Sequence, residues 1–328
     1  MLDREFVLDK CLGQGGSSRV YFANHPHTDK NYAVKILRKD KGISHKRGVQ
    51  ILQEEHDRMQ LLQGHPNILK SFGTFHDGEL ISDLGLTSVM YNVLELAENG
   101  TSSHFIRKSG GLGENLVKFP FVQIWHALSF IHSSGVAHMD MKLDNILFDE
   151  HYNIKIADLG VALNVSKTDG FTDSQRGTLS YMAPEVSYLL PTETYNAYIA
   201  DIYSLGIWLY VLVFGEFPVK DDSEDSTFCD TDTIGGITGL KCSLGCKKKW
   251  EQVSLDLQEL LGNMLSMEPE DRPSLQQILE SPWISKAYEE YMPQYVFEEM
   301  EKRKNISENK ETYTKNEAES TMSFQYDL

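Results

Sequence analysis

The run from Ala200 to Phe214 is apolar nearly all round. A helix without a polar face must be buried on every side. The chain therefore has to build a thick core around this one segment, and its 328 residues allow two domains or two lobes about a cleft. Asp201, near the start of the run, would be costly to bury unless donors surround it. No run reaches the ~18 apolar residues that a membrane crossing needs, so no span is predicted. Hydrophobic residues make up 41%, too many for a disordered chain.

A second stretch carries the chemistry. His138-Met139-Asp140-Met141-Lys142-Leu143-Asp144-Asn145 places acid, base and amide side by side. It follows Glu114–His132, where Leu116, Phe119, Val122, Trp125, Leu128 and Ile131 recur at spacings of three and read as a helix closed by Ser133-Ser134-Gly135. Ile146-Leu147-Phe148 and Ile154-Lys155-Ile156 flank a polar turn and read as a hairpin. That hairpin brings Asn145 and Asp158 together, with Asp140 and Lys142 nearby. Carboxylate and amide oxygens beside a lysine suit magnesium and a phosphate.

The N-terminal part offers a complementary set. Phe6–Leu12 and Tyr21-Phe22-Ala23 read as strands around Gly13-Gln14-Gly15-Gly16-Ser17-Ser18-Arg19-Val20. Glycines there let backbone N–H groups approach phosphate oxygens, although a glycine-rich hairpin is also a common plain turn. A dinucleotide loop would need a helix after the glycines, and a strand follows instead. Lys35 lies inside the apolar strand Tyr32–Leu37. The segment Val49–Gln63 has helical spacing and offers Glu55, or alternatively Glu54, as a partner for that lysine. Two further strands are expected between Ile68 and Ala97.

Together these motifs resemble the protein kinase family: the catalytic loop H-R-D-L-x-x-x-N, here His138–Asn145; the D-F-G element, here Asp158-Leu159-Gly160; and the V-A-I-K lysine, here Lys35. Gly177-Thr178-Leu179-Ser180-Tyr181-Met182-Ala183-Pro184-Glu185 is similar to the G-T-x-x-Y-x-A-P-E segment of the serine/threonine branch. The resemblance covers about residues 6–284. It implies an α+β, bilobal fold, with a small β-rich N-lobe (6–97) holding one main helix and a larger, mostly helical C-lobe (98–284). It also implies a serine/threonine protein kinase using ATP and magnesium on protein substrates. A kinase-shaped scaffold that only binds is the alternative, and such scaffolds usually lack Lys35, Asp140 or Asp158.

Site residues follow from the same resemblance. ATP would contact Leu12, Gly13, Gln14, Gly15, Gly16, Ser17, Ser18, Arg19, Val20, Ala33 and Lys35, the last held by Glu55. Leu94 would be the gatekeeper, the backbone of Glu95 and Ala97 would meet adenine, and Leu147 would form its apolar floor. Asp140 would orient the acceptor hydroxyl, Lys142 would neutralise the γ-phosphate, and Asn145 and Asp158 would hold magnesium. Asp201 would accept N–H groups of the catalytic loop, and Glu185 would pair with Arg272.

Three departures stand out. Leu159 replaces a phenylalanine with little consequence, and Ser18 replaces the third glycine and is expected to restrict the loop slightly. Met139 replaces the arginine that ordinarily pairs with an activation-segment phosphate, and a thioether cannot attract one. Activity is therefore expected not to depend strongly on phosphorylation of Ser174 or Thr172. Net charge is −17 with a pI near 5.1, which argues against sequence-independent nucleic-acid binding. Cys11, Cys229, Cys242 and Cys246 are too sparse for a disulfide framework, which points to a reducing, intracellular or cytoplasmic setting. Residues 220–249 read as a surface insertion, with zinc at its cysteines the weaker option. Residues 285–328 read as an acidic tail, a short helix followed by a disordered end.

Overall fold

The computed structural model describes residues 1–38, 42, 44–82, 85–220, 240–241, 249–285 and 294–306. The N-lobe is an antiparallel sheet of β1 (Val7–Gln14), β2 (Ser18–His25), β3 (Lys30–Leu37), β4 (Ser71–Ser82) and β5 (Gly85–Leu94), in the order β1-β2-β3-β5-β4. Strand alternation sorts its side chains. Val34, Ile36, Tyr91 and Val93 turn to one face and form a small core with Leu2 and Phe6. Ala33, Leu37, Met90 and Leu94 belong to clusters on the other side, towards helix α1 (His45–Leu61) and the cleft. Ser44 caps α1 by accepting from the Arg47 N–H. A Cβ at Gly48 would stand 2.5 Å from the Met90 terminal carbon, so the glycine leaves room for the end of that side chain between α1 and β5.

A short ladder, β6 (Gly100–Thr101), follows the connector and leads into α2 (Ser102–Ser109) and α3 (Glu114–Ser133). The buried face of α3 is Val117, Phe121, Ile124, Ala127, Leu128 and Ile131, while Phe119, Val122 and Trp125 are only partly buried. The expected helix is present, and of the residues that marked it Leu116, Leu128 and Ile131 are buried. Steps of three drift around a helix of 3.6 residues per turn, whereas mixed steps of three and four stay on one side. After β7 (Val136–Ala137) comes the expected hairpin, β8 (Ile146–Phe148) paired with β9 (Ile154–Ile156). Its turn is closed by Asp149 Oδ1, which accepts from the N–H groups of His151 and Asn153 at 2.9 and 2.8 Å.

The strand pairs β10 (Leu163–Asn164) with β7, and β11 (Phe171–Thr172) with β12 (Tyr195–Asn196), frame α4 (Pro184–Ser187). Helix α5 spans Ala197–Phe214, starting earlier than the apolar run because Asn196 caps it at the N–H groups of Tyr198 and Ile199. At 18 residues it is long and apolar enough to cross a membrane by length and composition, contrary to the sequence reading. Its side chains are instead buried inside the C-lobe. Helices α6 (Leu255–Met264) and α7 (Leu275–Glu280) close the lobe. Val219–Lys220 pairs with Leu240–Lys241, and the rest of the expected insertion, with Cys229, Cys242 and Cys246, lies outside the described residues.

A last helix, α8 (294–306), lies on the C-lobe. Val296 and Met300 are buried in the main core. Its polar residues reach three separate places. Tyr152 Oη donates to Glu301 at 2.7 Å, Arg303 donates to the Gly111 carbonyl at 3.0 Å, and Lys304 donates to Asn99 at 2.8 Å. Met300→Ala is expected to cost about 2–3 kcal/mol of stability, read by urea denaturation. A loss below ~0.5 kcal/mol, the level of an ordinary surface substitution, would show that α8 does not pack in solution.

Candidate active site

Three chain segments converge on one cation. Lys35 Nζ on β3 meets Glu55 Oε1 at 2.7 Å and Asp158 Oδ1 at 3.0 Å. Glu54 is not the partner: it accepts from Gln50 at 2.7 Å and faces Arg58 at 3.4 Å. Burial by itself would lower the Lys35 pKa, but the two carboxylates outweigh it and raise it, so the ammonium stays charged. Burial pushes the Glu55 carboxyl up, and Lys35 pulls it back. Lys35 holds Asp158 down to about 2. That contribution to stability is complete above the ordinary carboxylate value of about 4 and is lost as pH falls from there towards 2.

The catalytic-loop residues form a second cluster. Asp140 Oδ1 accepts from the Thr178 hydroxyl at 2.6 Å. Asp140 Oδ2 meets Lys142 Nζ at 2.6 Å and accepts from Asn145 Nδ2 at 2.9 Å. Lys142 also donates to Thr178 Oγ1, at 2.8 Å. Asn145 Nδ2 further donates to the Asp140 carbonyl at 2.9 Å, which commits the amide nitrogen and leaves its oxygen as the acceptor for a cation. The hairpin joins the two clusters, with the Ala157 N–H donating to the Asn145 carbonyl at 2.9 Å.

Two residues here have left-handed backbones, Met139 at φ 66° and Asp158 at φ 58°. Such conformations persist only where neighbours fix them. Asp201, as expected, accepts from the N–H groups of His138 and Met139, each at 2.8 Å, and also pairs with His132 at 2.9 Å. His138 spans the loops: its Nδ1 accepts from the Asp140 N–H at 3.2 Å, so Nε2 carries the proton and donates to the Ala157 carbonyl at 3.1 Å. Gly177 (φ 109°) presses on the same loop, and a Cβ there would stand 2.3 Å from the Met139 carbonyl oxygen. Glu185 and Arg272 form the expected fork, both contacts at 2.7 Å.

The apolar positions expected around adenine share one cluster: Val20, Ala33, Leu94, Ala97 and Leu147. Leu12 lies more exposed at the rim. In the glycine loop a Cβ at Gly13 or Gly16 would meet nothing, so space is open above the backbone, and the Gly15 N–H donates to the Ser18 carbonyl at 2.9 Å. Gln14 accepts from Arg19 at 3.0 Å. Ser18 opens β2 without a positive φ, so a serine fits the backbone conformation there. Ser17 accepts through its carbonyl from the Arg38 N–H at 2.8 Å.

The Glu95 side chain was not singled out by its sequence. It accepts from the Lys70 N–H at 3.0 Å and from Lys155 Nζ at 2.7 Å, and so ties the connector to both lobes. Lys155 is the available signal, because a lysine within a short buried strand requires a carboxylate.

Within the activation segment, Ser174 and Thr172 are anchored by protein groups. Met139 is buried among apolar side chains. Tyr195 Oη donates to the Ser174 carbonyl at 2.7 Å, Arg176 donates to the Ser174 hydroxyl at 2.8 Å, and Thr172 pairs with Tyr195 in the β11–β12 ladder. Alanine at both Thr172 and Ser174 is expected to leave most of the turnover. A loss of about a hundredfold, roughly 2.7 kcal/mol of transition-state stabilisation, would show that a phosphate is needed.

Comparison with known proteins agrees with this geometry. The family model described as protein kinase domain matches residues 6–284. CBL-interacting protein kinase 31 of Oryza sativa subsp. japonica is 32% identical over 87% of this chain and 58% of its own length. CBL-interacting serine/threonine-protein kinase 15 of Arabidopsis thaliana is 32% identical over 90% of this chain and 64% of its own. The SNF-related serine/threonine-protein kinase of Homo sapiens is 33% identical over 85% and 33%. The chain thus spans less than two thirds of these relatives. With its two lobes, its lysine–glutamate–aspartate pairing and this match over nearly all of its folded length, the chain belongs to the protein kinase domain family.

Proposed function

We propose that the chain is a serine/threonine protein kinase that transfers the γ-phosphoryl group of ATP to protein hydroxyls. The observation that carries this reading is the Thr178 hydroxyl, which donates to Asp140 Oδ1 while Lys142 Nζ donates to it. The cleft already holds an alcohol on a carboxylate, with a cation alongside, and a substrate serine or threonine needs the same two neighbours.

In the transfer, the acceptor oxygen bonds to the γ-phosphorus, the bond to the β–γ bridging oxygen breaks, and ADP leaves. Asp140 orients the hydroxyl and accepts its proton. Lys142 and Lys35 offset phosphate charge, and fixed groups of this kind act by positioning and electrostatics. The donor set suits a hard cation: the Asp158 carboxylate is 44% exposed, and the Asn145 oxygen is left as the acceptor. Magnesium bound there supplies positive charge against the β- and γ-phosphates. Asp144 is exposed beside the loop and favours basic substrate residues, whereas Thr101 is occupied as the α2 cap. The reading includes an intracellular, reducing location, which rests on the sparse cysteines of the sequence.

An ATP–magnesium assay on a generic basic protein tests the reading against a scaffold. Asp158→Ala is expected to lower turnover at least about a hundredfold while the protein stays folded. Equal signal from both proteins would mean that the chain binds without catalysing.

A further inference from the structure

Arg58 has no part in the chemistry above, yet it reaches the metal-binding loop. Its Nη1 donates to the Leu159 carbonyl at 3.2 Å and to the Gly160 carbonyl at 3.3 Å. Its Nη2 donates to Glu54 Oε2 at 3.4 Å, within the same helix. Leu159 and Gly160 directly follow Asp158, whose φ of 58° is costly for a residue with a Cβ. On the N-terminal side of Asp158 the backbone is held by Ala157, which donates to Asn145 and accepts from His138. On the other side the Ala162 N–H donates to the Leu159 carbonyl at 3.2 Å, and Arg58 caps that same carbonyl from above.

Glu55 and Arg58 stand three residues apart, about one helical turn, and so share a face of α1. One turn of a rigid helix therefore reaches the loop twice. Glu55 acts through Lys35 on the Asp158 carboxylate, and Arg58 acts directly on the following peptides. The guanidinium holds both carbonyls through Nη1 while Nη2 faces Glu54, a spread of donors over separate nitrogens that an ammonium lacks.

We propose that Arg58 is a positioning residue that locks α1 to Asp158-Leu159-Gly160 and sets the orientation of the metal-binding carboxylate. Displacing α1 then breaks the Lys35 pairing and releases the strained loop in one step. The inference rests on the reading of Asp158 as a magnesium ligand.

The test compares Arg58→Met and Arg58→Lys with the wild type and Asp158→Ala in two measurements besides turnover. Hydrogen exchange reads the Gly160 and Ala162 amides, and thermal stabilisation by ATP is titrated with magnesium. Loss of the charge-assisted pair corresponds to about tenfold. Arg58→Met should exchange these amides that much faster than the α3 and α5 amides change, and should need about tenfold more magnesium for half-maximal stabilisation. Arg58→Lys should fall between. Wild-type protection and magnesium response in Arg58→Met would overturn the proposal, as would faster exchange spread evenly over the whole domain. If Arg58→Met does not fold, Arg58→Lys decides: intermediate values support the lock, and wild-type values reject it. A wild-type magnesium response in Asp158→Ala would instead reject the metal assignment, while the exchange arm still reports on the loop.

Discussion

The structure depends on a buried cation shared by two carboxylates. Lys35 comes from the N-lobe sheet, Glu55 from α1 and Asp158 from the end of the C-lobe hairpin. Removing these charges from water costs several kcal/mol per ion, and only close, well-placed partners offset that. The three segments therefore have to be in position together. Removing Lys35 would leave the buried Glu55 carboxylate without a partner, which is worse than having no pair, whereas Asp158 is half-exposed and its loss leaves the Lys35–Glu55 pair intact. The closed arrangement of α1 is thus an electrostatic consequence of where the lysine is buried.

Around this centre, the fold holds backbone conformations that would not persist alone. Met139 and Asp158 sit in the left-handed region. Asp201, projecting from the most apolar helix in the chain, spends its oxygens on His132 and on the N–H groups of His138 and Met139. His138 passes that order on to Ala157. Core packing and site geometry are one problem here, since α5 must be buried to bring a carboxylate under the catalytic loop. With a methionine in place of the usual arginine, the activation segment takes its anchorage from Tyr195, Arg176 and a short ladder.

Much of this was legible in the sequence because the site residues are of distinctive types at fixed spacings. Lys35, Glu55, Asp140, Asn145, Asp158, Asp201 and the Glu185–Arg272 pair each need polar or charged partners, and the motifs supply their places. The helix α3 was legible, but its full buried stripe was not, because steps of three rotate around a helix while the stripe needs alternating threes and fours. The contacts of Arg58 with Leu159 and of α8 with Tyr152 were not legible. Each joins residues far apart in the chain through ordinary side chains that no local pattern distinguishes. The close approach of α1 to β5 at Gly48 is likewise a property of the packed pair.

The most direct test is a crystal structure with magnesium and a non-hydrolysable ATP analogue. The phosphates are expected to lie between Lys35 and Lys142, with the metal on Asp158 and Asn145 and the Lys35–Glu55 pair intact. A nucleotide bound elsewhere, or Lys35 separated from Glu55 with the phosphates in place, would contradict that arrangement.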